Sequence, residues 1–115
     1  MTNIPLPGGS VRGSKTGNPI MALFDLMGRQ WAMRILWEVW QGPVNFTALQ
    51  IQCGMSPTIL SRRLKELIAA GLLNKTDNKT YELTMLGIDL QDALDPVRSW
   101  AGRWVESQQD ENCSE

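Results

Sequence analysis

Apolar residues recur every three or four positions through most of the chain, and this spacing predicts a mainly helical protein. The pattern begins at Pro19, after an arm of residues 1–18 that is rich in Gly, Pro, Ser and Asn and is expected to be flexible. From there we expect five helices, at about residues 20–27, 30–41, 46–53, 56–70 and 85–107. Pro96 is expected to kink the last of these helices or to break it in two.

Between the fourth and fifth helices the pattern changes to one typical of short strands. Residues 72–76 and 81–84 predict two strands, joined by a polar turn at residues 77–80. The third and fourth helices are separated only by Gly54 and Met55, which is short enough for a tight turn. A closely joined helix pair, then a hairpin, then a helix is the arrangement of a winged helix-turn-helix protein.

The fourth helix is the strongest candidate for a binding element. Ser56 and Pro57 form a typical helix start, because the serine side chain can accept a backbone N–H and proline fits the first helical position. The apolar face is predicted to consist of Leu60, Leu64, Leu67 and Ile68. The opposite face holds small, hydroxylic and basic residues without an acid: Thr58, Ser61, Arg62, Lys65 and Ala69. Such a face suits the major groove of DNA, and it equally suits an amphipathic helix with a solvated basic side.

Charge is unevenly distributed along the chain, whose net charge is −1. Residues 28–84 contain seven bases and four acids, whereas residues 106–115 contain four acids and no base. The centre is therefore mildly basic, which is compatible with nucleic acid. We expect one domain over residues 19–107 and a disordered acidic tail over residues 108–115.

The composition gives no support for an enzyme. Histidine is absent, and Cys53 and Cys113 are too far apart to suggest a metal site. No Gly-rich phosphate loop is found, so we expect no catalytic residue, metal or cofactor. Cys53 could be a redox switch, although a small buried residue is the favoured interpretation. No segment approaches the roughly 20 apolar residues of a membrane helix, and the first 15 residues lack the apolar centre of a secretory signal, so a cytoplasmic protein is expected.

Five segments resemble the HxlR-type family of bacterial winged-helix regulators. They are LMGRQW at residues 26–31, FTAL at 46–49, SPTILSRRLKEL at 56–67, YELTMLG at 81–87 and WAGRW at 100–104. The resemblance implies a homodimeric transcription factor that binds a two-fold symmetric operator in double-stranded DNA. In such a protein the fourth helix enters the major groove, and the terminal helices join the subunits.

The resemblance also implies roles for individual residues. The candidate DNA contacts are Ser56, Thr58, Ser61, Arg62 and Lys65 on the fourth helix, with Lys75 and Lys79 on the wing. The candidate dimer contacts on the last helix come from the residues themselves, because together with the first helix they offer more apolar surface than one small winged domain needs: Leu94, Val97, Trp100 and Trp104. The protein would act at the nucleoid, and a small-molecule effector is compatible with the family but is not identified by the sequence.

Three departures from the family pattern matter. Asn18 stands where the family often has a cysteine, which senses oxidants in some members, so the sequence does not support that mechanism here. The wing is short and Thr58 replaces a frequent base, and both changes predict weaker DNA binding than is typical. Fewer basic residues mean fewer phosphate contacts. The alternative function is therefore a winged-helix protein-interaction module that has lost strong DNA binding.

Two further groups of residues allow two interpretations each. The tryptophans could form a ligand-stacking pocket, although packing in the core and at a dimer interface is favoured: Trp31, Trp37, Trp40, Trp100 and Trp104. Arg29 and Arg34 could contact phosphates, or they could be surface residues with an ion pair to Glu38.

Overall fold

The structure, a computed structural model, describes the backbone of residues 18–113 and the side chains of residues 18–109. Residues 1–17 of the expected arm and the end of the expected tail therefore lie outside the described residues. The helices are α1 (Pro19–Met27), α2 (Ala32–Trp40), α3 (Phe46–Cys53), α4 (Pro57–Ala69) and α5 (Met85–Cys113). The strands are β1 (Val44–Asn45), β2 (Leu73–Lys75) and β3 (Thr80–Leu83). The prediction of a mainly helical winged helix-turn-helix fold is confirmed.

Side-chain caps determine where the helices of the central pair begin. The Asn45 side chain accepts the Ala48 N–H at 2.8 Å, and Ser56 Oγ accepts the Ile59 N–H at 3.3 Å. Between these helices Gly54 has a φ of 65°, a left-handed conformation that glycine adopts without strain. The tight turn between α3 and α4 is thus specified locally.

The sheet contains one strand more than the sequence predicts. Strands β2 and β3 form the expected antiparallel hairpin, with Leu73 opposite Leu83 and Lys75 opposite Tyr81. Strand β1 pairs with the other edge of β3, where Val44 lies opposite Tyr81. Its two residues are too few to show a strand pattern in the sequence, so only the fold reveals it.

The core lies between α2, α3, α4 and the sheet. Its fully buried side chains include Ile35 and Leu36 of α2, Leu49 of α3, and Leu60 of α4. Leu64 and Leu67 are buried as predicted from their helical spacing. 

The prediction that Ile68 belongs to the buried apolar face of α4 is wrong, because its side chain is 38% exposed. The buried side of α4 is rotated away from Ile68 towards Glu66, which packs beside the turn between α1 and α2 and is only 1% exposed. The apolar pattern alone could not show this rotation, since a glutamate is an unexpected core residue.

Helix α5 is longer than predicted and is not divided. It includes Pro96 and continues to Cys113, so residues 108–113 extend the helix where a disordered tail was expected. Its side chains beyond Arg98 are exposed, as far as residue 109. Among the described residues, no helix is both long and apolar enough to cross a lipid bilayer.

Candidate nucleic-acid interface

Four of the seven candidate DNA contacts line a single concave surface. A concavity of about 640 Å³ lies along the outer side of α4 and the start of α3. Its lining residues are Phe46, Pro57, Thr58, Ser61, Arg62 and Lys65. The structure therefore brings together the hydroxyl groups and the basic groups that helical spacing places on one face. Phe46 and Pro57 were not predicted, and Phe46 is contributed by a different helix, which no local pattern indicates.

The outer face of α4 is positively charged because its one acid points elsewhere. Glu66 is the only Asp or Glu in Pro57–Ala69, and its carboxylate is buried between Arg29 and Arg63. Arg62 and Lys65 are exposed, and in the part of the chain that the structure describes neither forms an ion pair. Both cations are therefore available to an anionic ligand.

Ser56 immediately precedes Pro57 in the chain, is not among the lining residues, and has a structural role. Its hydroxyl oxygen accepts the Ile59 N–H, which satisfies one of the donors at the start of α4. The side chain is exposed, and the hydroxyl proton remains able to donate to an acceptor. Ser56 therefore combines a cap with a potential phosphate contact.

The two wing lysines, Lys75 and Lys79, lie on the hairpin and do not line the concavity. The turn is closed by hydrogen bonds from Thr76 N–H to the Thr80 carbonyl at 2.8 Å and from Lys79 N–H to the Thr76 carbonyl at 3.0 Å. Lys79 has a φ of 62°, and Lys75 Nζ lies 5.8 Å from the centre of the Tyr81 ring. Both lysines are exposed on a short, closed hairpin.

Two other arginines that could contact phosphates are already engaged. Arg34 Nε donates to Glu38 Oε1 at 2.9 Å, and its Nη2 donates to the Gln52 carbonyl at 3.2 Å. Arg29 forms an ion pair with Glu66. The ion-pair interpretation therefore holds for Arg34, and Arg29 is paired with an acid different from the expected Glu38.

The four candidate dimer residues on α5 fall into two groups. Leu94 is half-buried and lines a cleft between α2 and α5, together with Met33 and Trp37. Val97, Trp100 and Trp104 are each more than half exposed. The Trp100 and Trp104 rings stack with their centres 5.6 Å apart. A stacked pair of exposed tryptophans is a large apolar surface for a single helix.

Arg98 of α5 packs against α2 through two further exposed tryptophans, Trp37 and Trp40. Its guanidinium carbon lies 4.5 Å from the centre of the Trp40 ring and 5.6 Å from that of Trp37, which are cation–π distances. It also donates to Gln91 Oε1 and to the Gln91 carbonyl, both at 3.0 Å, and pairs with Asp95. This role of Arg98 could not be predicted from the sequence, because Trp37 and Trp40 are distant from it in the chain. This arrangement supports packing as the role of Trp37 and Trp40.

Cys53 is a buried residue of α3. Burial raises the pKa of its thiol above the ordinary value, an effect that nearby Glu38 increases and Arg34 opposes. A raised thiol pKa disfavours the reactive thiolate. Within residues 18–109, no group of three or more His, Cys, Asp or Glu residues could hold a metal ion.

Comparisons with known proteins agree with this arrangement. Residues 26–109 match the family model described as HxlR-like helix-turn-helix. An uncharacterized HTH-type transcriptional regulator of Methanocaldococcus jannaschii is 32% identical over 92 residues, which cover 76% of this chain and 86% of that protein.

Solved structures show the same similarity. The crystal structure of a possible HxlR family transcriptional factor from Thermoplasma volcanium is 30% identical, with a TM-score of 0.64, and covers 77% of this chain and 86% of that one. The crystal structure of quinone-bound YodB from B. subtilis is 27% identical, with a TM-score of 0.69, and covers 73% of this chain and 94% of that one. The chain therefore belongs to the HxlR-like helix-turn-helix family and is a DNA-binding transcriptional regulator.

Proposed function

We propose that the protein binds a two-fold symmetric operator as a homodimer, with α4 of each subunit in the major groove. The observation that carries this proposal is the acid-free outer face of α4, where Arg62 and Lys65 are exposed beside a concavity. An α-helix fits the major groove, and the small side chains of Thr58 and Ser61 permit close approach to the base edges.

The seven candidate DNA contacts fall into three proposed roles. Arg62 reads a base edge, because its fork of donors matches the two acceptors of guanine. Lys65 contacts a phosphate, as do the two wing lysines, Lys75 and Lys79. Ser56, Thr58 and Ser61 donate hydroxyl hydrogen bonds to phosphates or bases.

The proposed subunit contact is formed by the terminal helices. Val97, Trp100 and Trp104 expose an apolar surface on α5, and Leu94 supports it from the cleft beside α2. Aromatic residues are enriched at protein interfaces, and a two-fold dimer would place one copy of α4 at each half-site. We place this dimer in the cytoplasm, at the nucleoid.

The proposed function includes a small-molecule effector that binds the protein. A cavity of about 290 Å³ lies between α1 and α5, with apolar lining residues that include Leu23, Leu26, Leu86 and Leu90. Its size and lining suit a small organic molecule. YodB was crystallised with a quinone, which makes a quinone a reasonable first compound to test. The function involves no chemical reaction, so no catalytic residue or cofactor is assigned.

The test begins with the full-length protein and fragmented genomic DNA. Fragments that the protein retains in repeated rounds should share a palindromic sequence, which we define as the operator. Fluorescence anisotropy should then show tighter binding to the operator than to a random duplex, with both affinities falling as salt rises.

The alternative function gives a different result in the same experiment. A winged-helix module that binds proteins would retain no shared sequence, and its affinity for the two duplexes would be equally low. That outcome would overturn the proposed operator binding.

A further inference from the structure

The flank of α4 beside its DNA-facing side contains a buried cluster of charges. Glu66 is 1% exposed, and its two carboxylate oxygens are held by different guanidinium groups. Oε2 accepts from Arg29 Nη1, and Oε1 accepts from Arg63 Nη1 at 2.6 Å. Arg29 belongs to the turn between α1 and α2, whereas Arg63 and Glu66 belong to α4. The carboxylate therefore joins the recognition helix to a neighbouring turn.

A second hydrogen bond ties α4 to the same turn. Arg63 Nε donates to the Gln30 carbonyl at 2.8 Å. The turn is itself connected to α1, because Arg29 lies 3.8 Å from the Asp25 carboxylate. Two adjacent residues of the turn thus hold α4 at two points.

Stability alone does not explain the choice of charged residues here. Removing a carboxylate and a guanidinium from water costs free energy, and apolar side chains of similar volume often stabilise a protein as well or better. What a guanidinium fork adds is direction, because each N–H requires an acceptor along a fixed line. The cluster therefore restricts the rotation of α4 about its axis more tightly than apolar packing would.

The position of Glu66 on the helix connects this restriction to the DNA-binding surface. Glu66 follows Arg62 by four residues, so the two side chains are neighbours one turn apart on α4. A rotation of α4 that breaks the Glu66 contacts would also turn Arg62 away from its direction of approach. Bidentate contact with a base tolerates such a change poorly, whereas phosphate contact by a lysine tolerates it well.

We infer that Glu66, acting through Arg29 and Arg63, is a positioning residue that sets the angle at which α4 reads the operator. The inference rests on the proposed insertion of α4 into the major groove. It assigns sequence discrimination, rather than affinity for DNA in general, to a residue that never contacts DNA.

The test is the ratio of affinities for operator and random DNA. Glu66→Gln preserves the shape of the side chain and removes its charge. We expect the operator-to-random affinity ratio to fall about tenfold, the loss of roughly one good base contact. Affinity for the random duplex should be unchanged or higher, since two guanidinium groups lose their neutralising partner.

The matched control is Glu38→Gln, which makes the same change in charge at an arginine ion pair on α2. Its affinity ratio should equal that of the wild-type protein. Thermal melts by circular dichroism establish that each variant is folded at the assay temperature. If Glu66→Gln does not fold, Arg63→Lys takes its place, because it keeps the charge and removes the hydrogen bond from Nε to Gln30. We expect its ratio to fall as well.

An unchanged ratio would overturn the inference, whether both affinities keep their wild-type values or fall by the same factor, as a purely structural role predicts. A wild-type protein that selects no operator would overturn the proposed function first, and the two failures are therefore distinguishable.

Discussion

The backbone of Gly87 in α5 lies directly against the carbonyl oxygen of Leu72, at the start of the wing. A Cβ atom at position 87 would lie well inside the contact distance of that oxygen and 3.2 Å from Leu83 Cδ2. The N–H of Thr84, three residues earlier, donates to the same Leu72 oxygen at 3.0 Å. The glycine thus allows α5 to begin close to the hairpin.

Gly87→Ala should destabilise the protein. Alanine is the better helix former by about 0.5–1 kcal/mol. Here that gain is outweighed, because a steric overlap with backbone atoms typically costs about 1–3 kcal/mol. The measurement is the free energy of unfolding in urea. Gly102→Ala on the same helix is the control, since a Cβ there meets nothing within 4 Å. It should stabilise the protein slightly, and a loss of stability in both variants would contradict the explanation.

Features that depend on local sequence could be predicted, and those that depend on distant contacts could not. The starts of α3 and α4 follow from Asn45 and Ser56, because each side chain accepts the backbone N–H three residues further along the chain. The burial of Glu66 depends on Arg29, which is 37 residues away, so helical spacing gave no indication of it.

The same distinction applies to the candidate site. The basic and hydroxylic face of α4 is a periodic pattern, and four of its predicted residues do line one concavity. Phe46 joins that surface only because α3 crosses beside α4. The length of α5 was underestimated, because polar residues beyond Ser107 lack the apolar spacing by which a helix is recognised in sequence.

The stability of the protein should depend on pH through Cys53. Below about pH 8.5 the thiol is protonated in both the folded and the unfolded chain. Above it the unfolded chain loses the proton, while burial keeps the folded thiol protonated, so the free energy of unfolding falls as pH rises towards the folded pKa. The slope of this effect is at most about 1.4 kcal/mol per pH unit.

This contribution can be isolated by comparison with Cys53→Ala. The difference in free energy of unfolding between wild type and variant should shrink from pH 8 to pH 10. A constant difference between wild type and Cys53→Ala across this range would show that Cys53 does not titrate differently in the two states.

Trp104→Ala should weaken the proposed homodimer. Truncating a central interface tryptophan often costs about 2 kcal/mol or more, equivalent to roughly a thirtyfold increase in the dissociation constant. Sedimentation equilibrium across a concentration series measures this constant directly. Glu106→Ala, at an exposed position on the same helix, should leave it unchanged. A wild-type protein that is monomeric at micromolar concentration would refute the dimer itself.

Lys65→Ala should weaken binding to all DNA sequences alike. A lysine on phosphate contributes through release of counterions, so its loss lowers the salt dependence by about one unit in the slope of log K against log salt concentration. Anisotropy titrations of operator and random duplexes across a salt series provide this slope. Arg103→Ala is the matched control, because it removes one exposed positive charge from α5 without touching α4. A change confined to the operator would instead indicate that Lys65 reads bases.

Arg62→Ala, in contrast, should weaken binding to the operator much more than binding to the random duplex. If its guanidinium contacts a guanine with two hydrogen bonds, its loss costs about 1–3 kcal/mol on the operator and relaxes the preference at one base pair in each half-site. Affinity for the random duplex should fall only by the small amount that one positive charge contributes. Repeating the selection of genomic fragments with the variant identifies the relaxed position. Unchanged binding by both Arg62→Ala and Lys65→Ala, with fold and dimer intact, would remove α4 from the DNA interface and favour a winged-helix module that binds proteins.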